Sequence, residues 1–516
     1  MDTESRDSNY SSKRILKNTV YLYLRQIVTL VVSLYTSRVT LDVLGIDDYG
    51  LYNVIAGVVV LLALVNNSMV SATQRFLTFE IGRGDVGQIS NTFSMSMTVH
   101  LLICLLVLIV GETAGLYYIL DYLVVPDGRR DAAIWVYQIS LLSVFVNIVR
   151  APYQASIISY EKMDFFAFVS IGEVVLKLLI VFLLVLVSFD KLILYSTLLL
   201  GANLLVTAIY IIYCQRKFST CKYYFYLDRT YFKKLFGYLG WNVVGAFSTM
   251  GTQQAGNMII NRFVGVAINA AYGTANSVSS ALSGFLSNFQ MAFQPQIVKL
   301  YAQDKRDLMF SLMNKSARLS FFLVFIIVAP LFFYIDYVLG LWLKEIPPTT
   351  GVFCTWLFLT SFLSAIQCPL WISIGATGNI RFYQIWQSVL WFLSIPILFL
   401  CLSWGMPAYW VVIIRFWIAF VCTFFLLIQV KYQIGFPILK YIKEVVFQIA
   451  IVSVLYILPM LFISQSLQIN NFAKFVVFYC LSFIYIVLSI FLFGVTKNER
   501  LFIESFVKAK LLRSNK

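Results

Sequence analysis

The sequence has little charge for its length. Only 12% of its 516 residues are charged, whereas 60% are hydrophobic. A typical soluble domain is about half apolar and about a quarter charged. Charge is therefore too scarce here to cover a core of this size with a water-facing surface. The excess apolar surface must face lipid, which excludes a soluble globular protein.

Side chains that bind metals or carry out acid–base chemistry are also scarce. No two of the eight cysteines are separated by two residues, so the spacing of metal-binding and redox motifs is missing. Most cysteines lie inside apolar segments, and we interpret them as small packing residues. The single histidine, His100, lies in an apolar segment, where packing or hydrogen bonding is commoner than catalysis. We therefore predict no metal, no cofactor and no catalytic residues.

Long apolar segments recur along the whole chain. A membrane-spanning helix needs about 20 mostly apolar residues to cross roughly 30 Å of hydrocarbon. Residues 1–14 are polar and the apolar run after them has full span length, so we expect no cleavable signal peptide. Segments 51–74, 237–261 and 269–294 are the least apolar, so hydropathy alone would count eleven spans instead of fourteen. The predicted spans are 15–38, 51–74, 91–111, 134–158, 164–188, 192–214, 237–261, 269–294, 311–335, 351–375, 382–402, 408–430, 442–464 and 472–494.

The basic residues predict the orientation, because Lys and Arg gather in cytoplasmic loops. Both termini are expected in the cytoplasm, which leaves few basic residues outside. The net charge of +15 then reflects contact with the anionic inner leaflet, and no nucleic-acid partner is needed. The predicted outside loops hold only seven of the 39 basic residues, namely Arg38, Arg129, Arg130, Lys191, Arg262, Lys344 and Lys474.

The chain resembles itself at a spacing of about 220 residues, which indicates an internal duplication. Each copy holds six spans, an even number, so the two copies have the same orientation. In transporters with such parallel repeats, the substrate site lies between the halves near the midplane, and rocking of the halves alternates access. The matching positions are Leu44-Gly45 with Val264-Gly265, Tyr49-Gly50 with Tyr272-Gly273, Gln74 with Gln294, Asp85 with Asp307, and Pro152-Tyr153 with Pro369-Leu370.

The predicted fold class is thus an all-α integral membrane protein with about fourteen transmembrane helices. Two parallel six-helix lobes are followed by two extra C-terminal helices. The segment after the sixth span is rich in lysine, arginine and aromatic residues, and it is either a hinge between the halves or a surface loop that obeys the positive-inside rule. The predicted parts are a cytoplasmic tail 1–14, an N-lobe 15–215, a basic linker 216–236, a C-lobe 237–431, two helices 442–494 and a basic cytoplasmic tail 495–516.

Two neighbouring spans carry polar stripes. Six polar side chains recur along 269–294 at spacings of 4, 3, 4, 3 and 4 residues, and at 100° per residue they fall within about 80° of arc. Lipid cannot satisfy them, so the stripe faces protein or water. We favour a cavity lining over helix-packing contacts, because packing rarely needs six such residues. The stripe is Asn276, Ser280, Ser283, Ser287, Gln290 and Gln294, and the preceding span adds Asn242, Thr249, Gln253 and Asn257.

Three basic residues are assigned to the interior of spans, and two of them are candidate ligands for an anion. Arg25 lies about 15 Å past the start of its span, near the midplane. Its guanidinium can bind phosphate in bidentate fashion, although it can also bond helix carbonyls or an acid on another helix. Lys177 is the second candidate, with Glu173 four residues earlier as an ion-pair partner or as a site for a coupling ion. Arg415 lies about two turns from its outer end and can extend to the interface.

Several long segments resemble the polysaccharide-exporting branch of the MOP exporter superfamily, the Wzx-type flippases. In the first half these are VTLDVLGIDDYGLYNVIAGVV, NNSMVSATQRFLTFEIGRGD and APYQASIISYEKM, followed by the helix FAFVSIGEVVLKLL. In the second half they are GWNVVGAFSTMGTQQAGNMIINRFVG and FLSNFQMAFQPQIVKLYAQDKRD. The resemblance covers at least residues 14–430, and its motifs are not catalytic signatures. It implies two six-helix lobes around a central, commonly cationic cavity, a MATE-like fold.

The resemblance implies a flippase in the bacterial inner membrane that moves undecaprenyl-pyrophosphate-linked oligosaccharide from the cytoplasmic to the outer leaflet for O-antigen, lipopolysaccharide or related polysaccharides. The implied partners are this lipid-linked substrate, the phospholipid bilayer and the polysaccharide polymerase machinery. A MATE-type extruder of drugs or other cations is the alternative, but it usually needs a membrane carboxylate, and Glu173 is the only one near a span centre. A membrane glycan polymerase or ligase is a further alternative, although no outer loop carries a convincing acid–base set.

Overall fold

The computed structural model describes residues 2–121, 125, 128–187, 189–343, 346–466, 471–496 and 499–500. Side chains at 2–16, 34, 46, 53, 57–65, 266 and 466 are outside this description. The predicted N-terminal tail 1–14 is therefore described only as backbone from residue 2. Most of the predicted C-terminal tail 495–516 lies outside the described residues.

Every regular element in these ranges is a helix. Single π-helical turns follow α2 at Gly111–Gly115, α14 at Ile442–Val446 and α16 at Ile490–Gly494, and a short 3-10 turn lies at Ser219–Cys221. The helices are α1 Asp2–Arg83, α2 Val86–Val110, α3 Leu116–Asp121, α4 Arg130–Ser159, α5 Met163–Val185, α6 Lys191–Lys217, α7 Arg229–Val264, α8 Val266–Ala302, α9 Arg306–Phe333, α10 Ile335–Trp342, α11 Thr350–Thr377, α12 Arg381–Ser403, α13 Trp410–Ile434, α14 Ile438–Tyr441, α15 Phe447–Ser466 and α16 Phe472–Ser489.

Eleven helices in the described part of the chain are long and apolar enough to cross a membrane. The three predicted spans outside this set are 51–74, 237–261 and 269–294, which the sequence identifies as the least apolar. All three are nevertheless helical, within α1, α7 and α8. The protein is a multi-pass, all-helical membrane protein, and the count of fourteen spans stays a prediction.

Helix boundaries follow local capping chemistry. The side chain of Asp85 accepts a hydrogen bond from the backbone N–H of Gln88 over 3.0 Å and so caps the start of α2. Asn471 caps α16 in the same way, through the N–H of Lys474. The predicted linker 216–236 is shorter in the structure, because α6 continues to Lys217 and α7 already begins at Arg229.

Backbone conformation repeats between the two halves of the chain. Gly45 divides α1 with φ +79°, and Gly265, at an offset of 220 residues, separates α7 from α8 with φ +101°. Gly84 and Asp304 share a positive φ at the same offset, and Glu161 and Gly378 do so at an offset of 217. Residues other than glycine adopt this left-handed region only rarely. Gly128 and Thr349 form a fourth such pair, at an offset of 221. The four pairs repeat one backbone conformation close to the spacing of the predicted duplication.

The chain divides into two compact units. The first contains Met1–Phe247, Met291–Arg306 and Gly375–Gln384, and the second contains Ser248–Gln290, Asp307–Ile374 and Ile385–Lys516. Segments 291–306 and 375–384, which the sequence places in the C-lobe, therefore have their main contacts within the first unit. The predicted lobe boundaries themselves stay predictions.

In the first unit, α1 packs against α4 and α5, and α4 packs against α6. One buried cluster includes Phe93, Tyr153, Met163 and Cys214, which supports the prediction that this cysteine is a packing residue. At the end of the unit where α4 and α6 begin, Arg129 bonds to Asp48 and Asp190.

The two carboxylates around Arg129 are held in different ways. The hydrogen bond with Asp48 is the main reason that the pKa of Arg129 is raised. Asp190 also caps α6 by accepting from the N–H groups of Leu192 and Ile193. Burial alone would raise the pKa of Asp190, but the Ile193 N–H and the Arg129 guanidinium outweigh it and lower that pKa. This charged set joins three helix ends of the first unit.

The second unit has its own core, built around fully buried aromatic residues such as Tyr272, Phe353, Phe358 and Tyr456. Arg318, only 2% exposed, lies at the edge of this core and donates to Gln448 over 2.8 Å and to the carbonyl of Glu444 over 3.1 Å. It also forms an ion pair with Glu499, which follows α16 in the sequence.

Candidate functional site

A charged cluster lies where α4 and α5 face each other in the first unit. Glu173 and Lys177 are one helical turn apart on α5, and Nζ of Lys177 lies 2.7 Å from Oε1 of Glu173. Arg150 on α4 approaches the other oxygen of the same carboxylate, with Nη1 3.4 Å from Oε2. One carboxylate therefore serves two cations.

Arg25 on α1 belongs to the same region. Its guanidinium carbon lies 4.8 Å from the ring centre of Phe166, a cation–π contact. The guanidinium carbon of Arg150 lies 5.8 Å from the ring centre of Tyr210 on α6, a second cation–π contact. Arg150, Lys177 and Glu173 thus form a group of two cations and one carboxylate with a net charge of +1, and Arg25 contacts Phe166 on the same helix as Glu173.

The members of this cluster remain partly accessible. The side chains of Arg150, Glu173 and Lys177 are 15%, 20% and 39% exposed. Arg25 is half-buried. A net positive, partly open site inside a helix bundle can hold an anion, because guanidinium groups bind phosphate or carboxylate in bidentate fashion.

Arg150 was missing from the sequence prediction, which assigned only three basic residues to the interior of spans. It lies nine residues before the end of α4, about 14 Å along the helix, so it is nearly as deep as the estimate for Arg25. Its depth was readable from the predicted span 134–158. Its pairing with Glu173 was not, because the two residues lie on different helices.

The second unit contains a separate basic site around Arg415 on α13. Nη1 of Arg415 donates to the hydroxyl of Tyr272 over 2.8 Å and to Oδ1 of Asn276 over 3.1 Å. Arg415 thus has neutral partners here, and the described part of the chain contains no ion pair for it. A small cavity of about 10 Å³, room for roughly one water-sized group, adjoins this guanidinium. Its lining residues are Thr252, Gly256, Ser394, Ile395, Leu398, Val411, Ile414 and Arg415.

The polar stripe of α8 occupies an accessible face of the helix. Leu282 and Leu286, by contrast, are only 7% and 6% exposed. The hydroxyls of Ser283 and Ser287 donate to the carbonyls one turn earlier, at 2.9 and 2.7 Å, which satisfies their protons within the helix. The exposed stripe members are Ser280, Ser283 and Ser287, and the half-buried ones are Asn276, Gln290 and Gln294.

The stripe predicted on α7 is half-buried throughout, at Asn242, Thr249, Gln253 and Asn257. Asn257 donates to Gln254 over 2.9 Å. The cavity beside Arg415 is instead lined by Thr252 and Gly256, on a neighbouring strip of the same helix. The polar period of α7 was readable from the sequence, but the strip nearest to Arg415 was not.

The described residues contain no group of three or more His, Cys, Asp and Glu side chains arranged to hold a metal ion. His100 is fully buried, with Nδ1 2.7 Å from the carbonyl of Ser96. Its surroundings are those of a packed histidine.

Comparison with known proteins gives a fold. No family model matches the sequence, and no curated protein matches it. A MATE structure in the straight conformation has a TM-score of 0.67 at 14% identity, and an outward-facing multidrug resistance MATE transporter of the MOP superfamily has 0.67 at 12%. A MOP superfamily transporter from Pyrococcus furiosus, described by the reverse polarity of its binding pocket and a suggested different function, has 0.64 at 12%.

Each of these likenesses covers 82% of this chain and 96% of the other. Nearly a fifth of this chain therefore lies outside each comparison. At such low identity the likeness establishes the architecture. The chain has the fold of the MATE transporters of the MOP superfamily.

Proposed function

We propose that the protein is a flippase that moves undecaprenyl-pyrophosphate-linked oligosaccharide from the cytoplasmic to the outer leaflet of a bacterial inner membrane by alternating access. The observation that carries this proposal is the pair of cations, Arg150 and Lys177, around the single carboxylate of Glu173. Its net positive charge inside a membrane bundle calls for an anionic ligand, because charges at this depth are costly and mark substrate paths.

A pyrophosphate suits this cluster chemically. The guanidinium of Arg150 offers planar pairs of N–H donors, the ammonium of Lys177 adds a point charge, and Arg25 is the predicted further ligand. Both termini are expected in the cytoplasm, and a polysaccharide polymerase that consumes the flipped units is the expected partner.

A MATE-type multidrug or cation extruder is the second candidate, and the fold of the compared structures favours it. A cation site in the membrane needs an available carboxylate. Glu173 already pairs with both Arg150 and Lys177, so its charge is neutralised. For the Pyrococcus furiosus transporter of this fold, a reversed polarity of the binding pocket is described as suggesting a different function. The observed cluster favours an anion.

A membrane glycan polymerase or ligase is a weaker hypothesis than either transporter, because the compared structures of this fold are transporters.

The test uses the purified full-length protein in liposomes. One arm measures translocation of a fluorescent undecaprenyl-pyrophosphate-linked oligosaccharide, and the other measures movement of a fluorescent organic cation. We expect translocation of the lipid-linked sugar only, with loss in Arg150→Ala and retention in Arg216→Ala, which removes an exposed arginine at the end of α6. Movement of the cation without the lipid-linked sugar would replace the proposal with the extruder.

A further inference from the structure

At the end of the first unit where α1 reaches Arg83, a side chain of the first half of the chain caps a helix of the second half. Arg75 donates from Nε to the carbonyl of Gly375 over 3.0 Å and from Nη2 to the carbonyl of Ala376 over 2.6 Å. These are among the last carbonyls of α11, where regular helical bonding ends, and that of Gly375 also accepts a hydrogen bond from the N–H of Gly378 over 3.0 Å. A cation at this position also meets the negative end of the helix dipole.

The surroundings hold the Arg75 guanidinium in place. It is buried, and its central carbon lies 4.5 Å from the ring centre of Phe76 and 5.0 Å from that of Phe79. Gly378 follows α11 with φ +80°, and a Cβ there would lie 2.9 Å from Nη2 of Arg75. The glycine is therefore required both by the backbone turn and by the space that the guanidinium fills.

A second polar contact lies at the same end. Glu161, in the turn between α4 and α5, pairs with Lys299 of α8 and accepts a hydrogen bond from Gln296 over 2.7 Å. The Glu161 side chain is fully buried, and that of Lys299 is 17% exposed. As with Arg75, a charged group of the first half is satisfied by the second half.

Close helix packing completes this end of the unit. A Cβ on Gly82 would lie 2.8 Å from Cβ of Ala302, so α1 and α8 approach each other here as only glycine permits. The rings of Phe79 and Tyr301 lie beside this contact, with centres 6.2 Å apart.

We propose that Arg75 with the carbonyls of Gly375 and Ala376, and Glu161 with Lys299, form a latch, the Arg75 latch, that closes and reopens during transport. Its contacts are mainly charged or polar. Such groups regain hydration when they separate, whereas an apolar seam would lose its full burial free energy. The contacts of the Arg75 latch can therefore break and form again reversibly. With the predicted orientation, this end faces the cytoplasm.

The first test is hydrogen–deuterium exchange of the full-length protein in lipid nanodiscs. Arg75→Gln and Lys299→Met should raise exchange at the amides of 375–384 and 299–306 by about tenfold or more, because each removes a buried charge-assisted bond. Amides of 186–196, at the other end of the unit, should keep their rates. The matched control is Arg83→Gln on the same helix, which removes a 58% exposed side chain and should change neither region. Unchanged rates at 375–384 and 299–306 in both latch variants would overturn the latch.

Swapping the charges of Glu161 and Lys299 distinguishes loss of this ion pair from a general failure to fold. Glu161→Lys and Lys299→Glu each place two like charges together, whereas the double variant restores an opposite pair. Recovery of amide protection in the double variant supports the pairing. A double variant no better protected than the single variants contradicts it.

The second test asks whether the latch must open, and this test alone rests on the proposed transport function. Phe79→Cys and Tyr301→Cys are joined by a short reducible thiol crosslinker, and peptide mapping confirms the site of the crosslink. We expect lipid-linked sugar transport to stop in the crosslinked protein and to return after reduction, while either single cysteine has no such effect. Unimpaired transport in the crosslinked protein would refute the latch and leave the flippase proposal intact. Failure of the flippase proposal would appear instead as absent transport before crosslinking, with the exchange results still deciding the latch contacts.

Discussion

Arg150 on α4 approaches Glu173 on α5 to within 3.4 Å, and this pair decides how the carboxylate can act. Glu173 also pairs with Lys177 at 2.7 Å. A carboxylate held by two cations is suited to setting their positions and is a poor site for a coupling ion. Arg150 and Lys177 thus compete with any coupling ion for the carboxylate of Glu173.

The first prediction is that Glu173 positions the cations of the cluster. Glu173→Gln should lower stability by about 1 to 2 kcal/mol, less than for a fully buried pair, because Arg150 and Lys177 lose their shared counter-charge while remaining partly hydrated. Glu173→Gln with Lys177→Met should recover part of this loss. Thermal unfolding in nanodiscs measures it. If the double variant transports without responding to any imposed proton or sodium gradient, while the wild type responds, Glu173 is the coupling site after all.

The second prediction concerns Arg25. Arg25→Ala should abolish transport of the lipid-linked sugar, and Arg25→Lys should reduce it partly, because lysine keeps the charge and loses the planar pair of donors. The amount of Arg25→Ala protein in the membrane should stay near normal, since removing a charge relieves an insertion cost of about 2.5 to 3.5 kcal/mol. Transport assays and quantitative blotting measure both. Normal transport by Arg25→Ala would remove Arg25 from the site.

The third prediction is that the exposed face of α8 meets water in the membrane. Cysteines at Ser283 and Ser287 should react with a small charged thiol reagent, whereas cysteines at Leu282 and Leu286 should not, because those side chains are buried. Peptide mapping distinguishes the introduced thiols from the exposed native Cys480. Equal labelling of the two faces would show that the stripe does not line an aqueous cavity.

The fourth prediction is a pH dependence from Asp190. Its pKa is lowered in the folded protein, so its contribution to stability is present above the unfolded value of about 3.9 and is lost as the pH falls through the folded value. Asp190→Asn keeps a helix cap but removes the charge. The difference in unfolding midpoint between wild type and variant should therefore be constant from pH 5 to 8 and shrink below about pH 4. A difference that does not change with pH would contradict the assignment.

Much of the architecture was predictable because membrane helices can be recognised from their apolar composition. Long apolar runs predicted the spans. The three predicted spans with the lowest hydropathy are also helical in the structure, although they are not among its eleven candidate spans. The apolar side of the α8 stripe was predictable from the helical period, since Leu282 lies opposite the serines. Periodicity within one helix carries this information.

Contacts between helices were beyond the sequence. Arg75 meets carbonyls 300 residues away, and Arg150 meets a carboxylate on the next helix; no local pattern encodes either pair. The neutral partners of Arg415 were hidden for the same reason, because Tyr272 belongs to another helix. Charge depth can be read from a single sequence, but the identity of the partner requires the packing of helices.

The paired left-handed junctions bear on how the two halves of the chain diverged. Glycine occupies both members of one pair, at 45 and 265, but Gly84 corresponds to Asp304, and Glu161 corresponds to Gly378. Gly128 likewise corresponds to Thr349. In three of the four pairs the turn is present although one copy uses a residue for which that conformation costs about 1 to 2 kcal/mol. The direction in which the chain leaves these helices is therefore shared by the two halves even where the amino acid at the turn is not. An alignment of the two halves is accordingly better anchored at these positions on backbone torsion angles than on residue identity.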